Sequence, residues 1–233
     1  MSLTGDLINT VKLTKATKLI PKSFFIAWRG VLTLAFTGFP SEIVDLKQRI
    51  TTDFGNKLPN ENPGSKWPKM SLAALKENAK PLTQEQVDQV TAICEQMSAN
   101  LALLEDDFLV DKISYVVFGC RSLEKLVVCG HVNLDGDAKL NSVIVADDQK
   151  DVVANVLAEA ENKEEYLKEI QKLGNREKHY TEDHMESTLA VFLGANPDVV
   201  LILQEFQRAI DYILPGYYHW FKHEALHCTL RCV

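Results

Sequence analysis

The chain is short of several things, and each shortage removes a class of function. No apolar run approaches the ~20 residues needed to cross a bilayer, so no membrane role is expected. The early run Phe24-Phe25-Ile26-Ala27-Trp28 is too short and too far from the start for a secretory signal. Cysteine is sparse and odd in number, five in 233 residues. That argues against a disulfide framework and for the reduced thiols of an intracellular, cytoplasmic protein. Basic residues are outnumbered, giving a formal charge of -7. A broad nucleic-acid face needs the opposite sign, although a small anion held by a few local donors remains open. Also missing are the Gly-x-x-x-x-Gly-Lys phosphate loop, the Gly-x-Gly-x-x-Gly dinucleotide turn, the Gly-x-Ser-x-Gly elbow and any tandem repeat of solenoid period.

What is present belongs to an ordinary globular chain, 46% hydrophobic and 24% charged. Its length suits one domain, or one two-lobed domain, with ample material for a core. Residues 1–22 mix lysines with Leu7, Ile8, Val11 and Leu13, as an amphipathic extension would. Residues 24–36 read as one or two strands turning at Arg29-Gly30. Ser41 is placed to cap a helix whose apolar stripe is Ile43, Val44, Leu46 and Ile50. Proline, glycine and asparagine make residues 55–68 a loop. A short buried strand follows at 70–75. Thr83 with Gln86 then forms a capping box for a helix striped by Val87, Val90, Cys94 and Met97.

Residues 108–118 and 123–134 read as strands. A helical insertion is expected within residues 120–186, where the acid-rich stretch 147–186 carries a solvent-facing helical stripe that ends at Gly174-Asn175 and could serve a protein partner. Its His179 and His184 read as loop residues or a metal clip. A strand at 188–193 precedes a helix that starts with Asn196-Pro197 and carries Val200, Leu203, Phe206 and Ile210. The order of elements implies an α+β fold of two similar antiparallel lobes around a central groove, with helices outside.

The last eleven residues, from His223 to Val233, admit two chemistries. His223-Glu224-Ala225-Leu226-His227 matches the zinc-protease pattern, in which two histidines four apart share one helical face. That reading lacks a downstream third ligand, and Cys228, Thr229 and Val233 favour a strand. In a strand, alternation puts His227, Thr229 and Arg231 in one row and turns Cys228 into the core. An imidazole, a hydroxyl and a guanidinium on one face can bind a phosphate and move a proton near pH 7.

His227-Cys228-Thr229-Leu230 resembles the second motif of the two-histidine phosphoesterase superfamily, whose members carry His-x-Thr/Ser-hydrophobic motifs on strands of two pseudo-symmetric lobes. Lys69-Met70-Ser71-Leu72 is similar to the first motif, with lysine where the family has histidine. The resemblance implies a metal-independent phosphodiesterase without a cofactor, acting on a small phosphodiester such as a 2′,3′-cyclic phosphate, or on an RNA-terminal phosphate. His227 would be the acid or base, Ser71 and Thr229 the phosphate-holding hydroxyls, and Lys69 a cationic substitute. Arg231, Trp67 and His131 would assist binding. A lysine at its usual pKa of about 10.4 cannot be a resting base, so a binding module on the same scaffold is the competing expectation. His131-Val132-Asn133-Leu134 offers a second registration for the first motif.

Overall fold

The computed structural model describes residues 3–233. Helix α1 (Leu3–Lys12) and the two-residue strand β1 (Thr17–Lys18) precede a hairpin of β2 (Pro21–Ile26) and β3 (Leu32–Phe36). Helix α2 (Ser41–Phe54), β4 (Lys69–Leu75) and α3 (Gln84–Ser98) complete the first half. After them come β5 (Leu109–Val110), β6 (Lys112–Phe118) and β7 (Leu126–Asn133). Three helices, α4 (Asp147–Ala158), α5 (Lys163–Gln171) and α6 (Glu177–Thr181), precede β8 (Glu186–Phe192). The chain closes with α7 (Pro197–Ile213), β9 (Tyr218–Trp220) and β10 (His227–Cys232). The fold is α+β with antiparallel sheets.

Two four-stranded sheets organise the molecule. One has the order β2-β3-β4-β9 and the other β10-β8-β6-β7, while β1 and β5 form a short ribbon. Each large sheet takes in strands distant in sequence. β9 joins the first through Ala73 opposite Trp220, and β10 joins the second through Thr229 opposite Ala190. A single apolar core runs through both, joining Leu34 and Leu72 of the first sheet to Leu189, Val191 and Leu230 of the second. The alternation of β4 and β10 then decides what faces outward. Buried Met70 and Leu72 alternate with the less buried Lys69 and Ser71, as Cys228 and Leu230 alternate with His227 and Thr229.

Helix signals hold where the chemistry is local. Thr83 and Gln86 form the reciprocal capping box, and Asn196 caps α7 by accepting from the Asp198 N–H ahead of Pro197. Ser41 is not the cap of α2. Pro40 holds that position, and Ser41, already in the helix, donates its hydroxyl to Glu42. The stretch 147–186 is three helices rather than one solvated one. Val153 of α4 is buried against Phe25 and Trp67, while Tyr166 and Ile170 of α5 enter the main core. The Tyr166 hydroxyl donates to the carbonyl of Ile26 on edge strand β2 at 2.9 Å.

Candidate functional site

A cavity of about 250 Å³ opens where β4 and β10 face one another. Lys69 and Ser71 come to it from β4, and His227 and Thr229 from β10, so all four expected reacting residues line one space. Each pair sits two residues apart on a strand, which is why each shares a face.

His227 is held by its own chain. Its Nδ1 lies 2.7 Å from the Ala225 carbonyl oxygen, so this nitrogen carries the proton and Nε2 keeps its lone pair. Burial depresses its pKa to about 4, although the Ala225 bond favours the charged form. The imidazole is therefore neutral at pH 7. Residues 223–225 form a 3-10 turn and His227 begins a strand, so His223 and His227 do not share a helical face. This removes the zinc-protease reading.

Lys69 is perturbed in the useful direction. Burial lowers its pKa to about 8, with repulsion from Lys47 adding to the effect. Its ammonium donates to the Gly64 carbonyl and lies 4.3 Å from the centre of the Trp67 ring. Lys47 itself is turned away, onto Glu61 and the carbonyls of Ser65 and Leu230. Ser71 shares the cavity with Tyr180, whose pKa burial pushes up to about 12 against the opposing effect of the Ser71 side chain.

Three expected binding residues are elsewhere. Arg231 does not continue the row of His227 and Thr229, because a bulge at Leu230 shifts the register between Thr229 and Arg231. Arg231 is buried, with Nη2 3.3 Å from the Pro59 carbonyl and Nη1 3.8 Å from Glu61. Cys232 takes its place at the cavity wall. Trp67 is buried with Phe25 and Val153, so it supports Lys69 and offers no exposed stacking face. His131 lies on β7, at the opposite edge of its sheet from β10, with Nδ1 2.8 Å from the Ser114 hydroxyl. The alternative registration through His131 thus falls away.

The opposite wall holds residues that sequence reasoning missed. Arg121 and Ser122 come from the turn between β6 and β7, and His179 and Tyr180 from α6. Burial, then the Arg121 charge, holds the His179 imidazole below its ordinary pKa. Arg176 ties this wall to the first sheet, with Nη1 2.7 Å from the Lys76 carbonyl and 3.0 Å from that of Ala79. His219 braces it too, with Nδ1 3.2 Å from Glu177 on α6. One signal was available in the sequence: the apolar stripe of Val153, Tyr166 and Ile170 meant that the insertion docks onto something.

No family model, no curated protein and no solved structure matches the chain.

Proposed function

We propose that the protein hydrolyses a phosphodiester, with a 2′,3′-cyclic phosphate as the fitting class and His227 and Lys69 as a base–acid pair. The observation that carries this reading is that Lys69, Ser71, His227 and Thr229, from two different sheets, line one cavity. The resemblance of both motifs to those of two-histidine phosphoesterases supports it as well.

The protonation states divide the labour. Neutral His227, with Nε2 bare, takes a proton from water as that water's oxygen bonds to phosphorus. Lys69, cationic up to about pH 8, gives a proton to the leaving 2′-oxygen as the P–O bond breaks. The product is a phosphomonoester and a free hydroxyl, with the proton on the imidazole returned through solvent to the lysine amine. Ser71 and Thr229 donate hydrogen bonds to the non-bridging oxygens, where charge builds in the transition state. A lysine at its ordinary pKa would be a poor acid for this step, and its burial corrects the mismatch.

The test is turnover of adenosine 2′,3′-cyclic phosphate by the wild-type protein and by His227→Gln. Loss of a general base costs about 10²–10⁴ in rate. Equal turnover by the two proteins would remove His227 from the chemistry.

A further inference from the structure

The cavity holds more positive charge than one diester can use. A phosphodiester brings a single negative charge, which Lys69 matches from one wall. Arg121 stands on the other wall, and the Arg29 charge acts on both His179 and Tyr180. Among the described residues, no side chain lining the cavity is an acid. In a chain with a net charge of -7, this local excess is not inherited from composition.

Arg121 is also aimed. Its Nη2 lies 3.3 Å from Nδ1 and 3.0 Å from Nε2 of His184, and that Nε2 is 2.8 Å from the Glu186 carboxylate. Nε2–H donates to the carboxylate, which leaves Nδ1 to accept from the guanidinium. Nη1 donates to the His179 carbonyl at 3.4 Å. Of the five N–H groups of an arginine, three make no hydrogen bond among the described residues. Among the described residues, the carboxylate that pairs with the guanidinium is Glu182 at 3.9 Å, about half exposed, and such a pair neutralises little.

Building on the phosphodiester reading, we infer that the ligand carries a phosphomonoester besides the diester, and that Arg121 binds this second phosphate. A guanidinium fork fits two oxygens of one phosphate at once, which a lysine cannot do. Arg121 is a specificity-determining residue here, separate from the base and the acid. The cavity volume, about 250 Å³, falls below the ~300–1,000 Å³ of common small-molecule pockets. It suits phosphates and the sugar between them, with the base at the mouth.

The test compares adenosine 2′,3′-cyclic phosphate with and without a 5′-phosphate. In the wild-type protein the 5′-phosphate should lower KM about tenfold, the ratio expected for ~1.4 kcal/mol. In Arg121→Gln the two KM values should converge, and in Arg121→Lys the ratio should fall by about half. Arg121→Lys also carries the comparison if the glutamine variant does not fold. Equal KM values in the wild-type protein, or a ratio untouched by either variant, would overturn the inference. If neither compound is turned over, calorimetry with adenosine 3′,5′-bisphosphate and adenosine 3′-monophosphate separates the two proposals. A preference for the bisphosphate that Arg121→Gln erases keeps the second phosphate site and discards catalysis. No preference discards the second site as well.

Discussion

The Nδ1 of His227 lies 2.7 Å from the carbonyl oxygen of Ala225, two residues back along the chain. The bond selects one tautomer of the ring and one orientation. Its consequence is chemical, because Nε2 is left as a bare acceptor beside the Thr229 and Ser71 hydroxyls in the same cavity.

The first prediction is a broad, flat-topped pH profile. As pH rises through about 4, His227 loses its proton and becomes a base, and above about 8 Lys69 loses the proton it must donate. The kcat/KM for a cyclic phosphate should climb at the first value and fall at the second. Lys69→Arg keeps the charge but never deprotonates in this range, so the variant should be slow and lose the alkaline limb. An alkaline limb unchanged in that variant would assign it to another group.

Lys69 should cost the fold some stability. Its folded pKa is about 8 against an ordinary 10.5. At pH 7 both states are protonated and the burial cost is present in full. Between pH 8 and 10.5 the folded amine neutralises first, the unfolded state binds more protons, and stability rises with pH. Lys69→Met should therefore raise stability at pH 7 by ~1–3 kcal/mol, or several degrees in Tm, while abolishing turnover. The gain should shrink at pH 10. Calorimetry showing a less stable variant at pH 7 would refute the assignment.

His227 should impose a dependence of the same sign in acid, with stability again rising with pH. Its folded pKa of about 4 lies below the ordinary 6.5, so the unfolded state takes up a proton first as pH falls. The contribution is intact above 6.5 and is lost between 6.5 and about 4. A full shift of this size is worth ~3 kcal/mol, less what solvent screens at the partly exposed edge of the ring. His227→Gln should flatten the stability curve across that window in urea unfolding, and an unchanged slope would contradict a neutral buried imidazole.

Much of this was legible in the chain, and the boundary is instructive. Lys69 with Ser71, and His227 with Thr229, could be paired because strand alternation is local and has period two. Arg231 was misplaced by that same rule, since nothing in Leu230 announces a bulge. Trp67 was misplaced because its burial depends on Val153, more than eighty residues away on α4. Arg121 reaches the cavity from the β6–β7 turn, and His179 and Tyr180 through docking of the helical insertion. The apolar stripe of Val153, Tyr166 and Ile170 announces that the insertion docks, but not which of its polar residues then face the cavity.

Arg231 should matter to folding and not to the ligand. It is buried beside Glu61, which also pairs with Lys47, and it donates to the Pro59 carbonyl at 3.3 Å. Arg231→Met leaves Glu61 one cation, so the loss should sit near ~2 kcal/mol, below the 3–5 of a fully orphaned buried charge. Turnover per folded molecule should hold within a few-fold. A large KM rise with unchanged stability would return Arg231 to the binding surface.

Gly194 is the position where the geometry of His227 is most exposed to one methyl group. A Cβ there would stand 1.9 Å from the His223 carbonyl oxygen and 2.9 Å from its carbon. Both are backbone atoms of the turn that ends at Ala225, so no side-chain rotation relieves the clash. The turn is also tied to the residue before Gly194, with Leu193 N–H donating to the Leu226 carbonyl at 3.0 Å. Gly194→Ala must therefore push the turn outward and carry the Ala225 carbonyl with it. The expected stability loss is ~1–3 kcal/mol, as for other overpacked sites. The kinetic effect should exceed it. With Nδ1 released from Ala225, the ring is free to rotate and to exchange tautomers, so kcat should fall at temperatures where the variant is fully folded. Nitrogen NMR of the His227 ring should show the proton shared between Nδ1 and Nε2. A folded variant with wild-type kcat would mean that the Ala225 bond does not set the base.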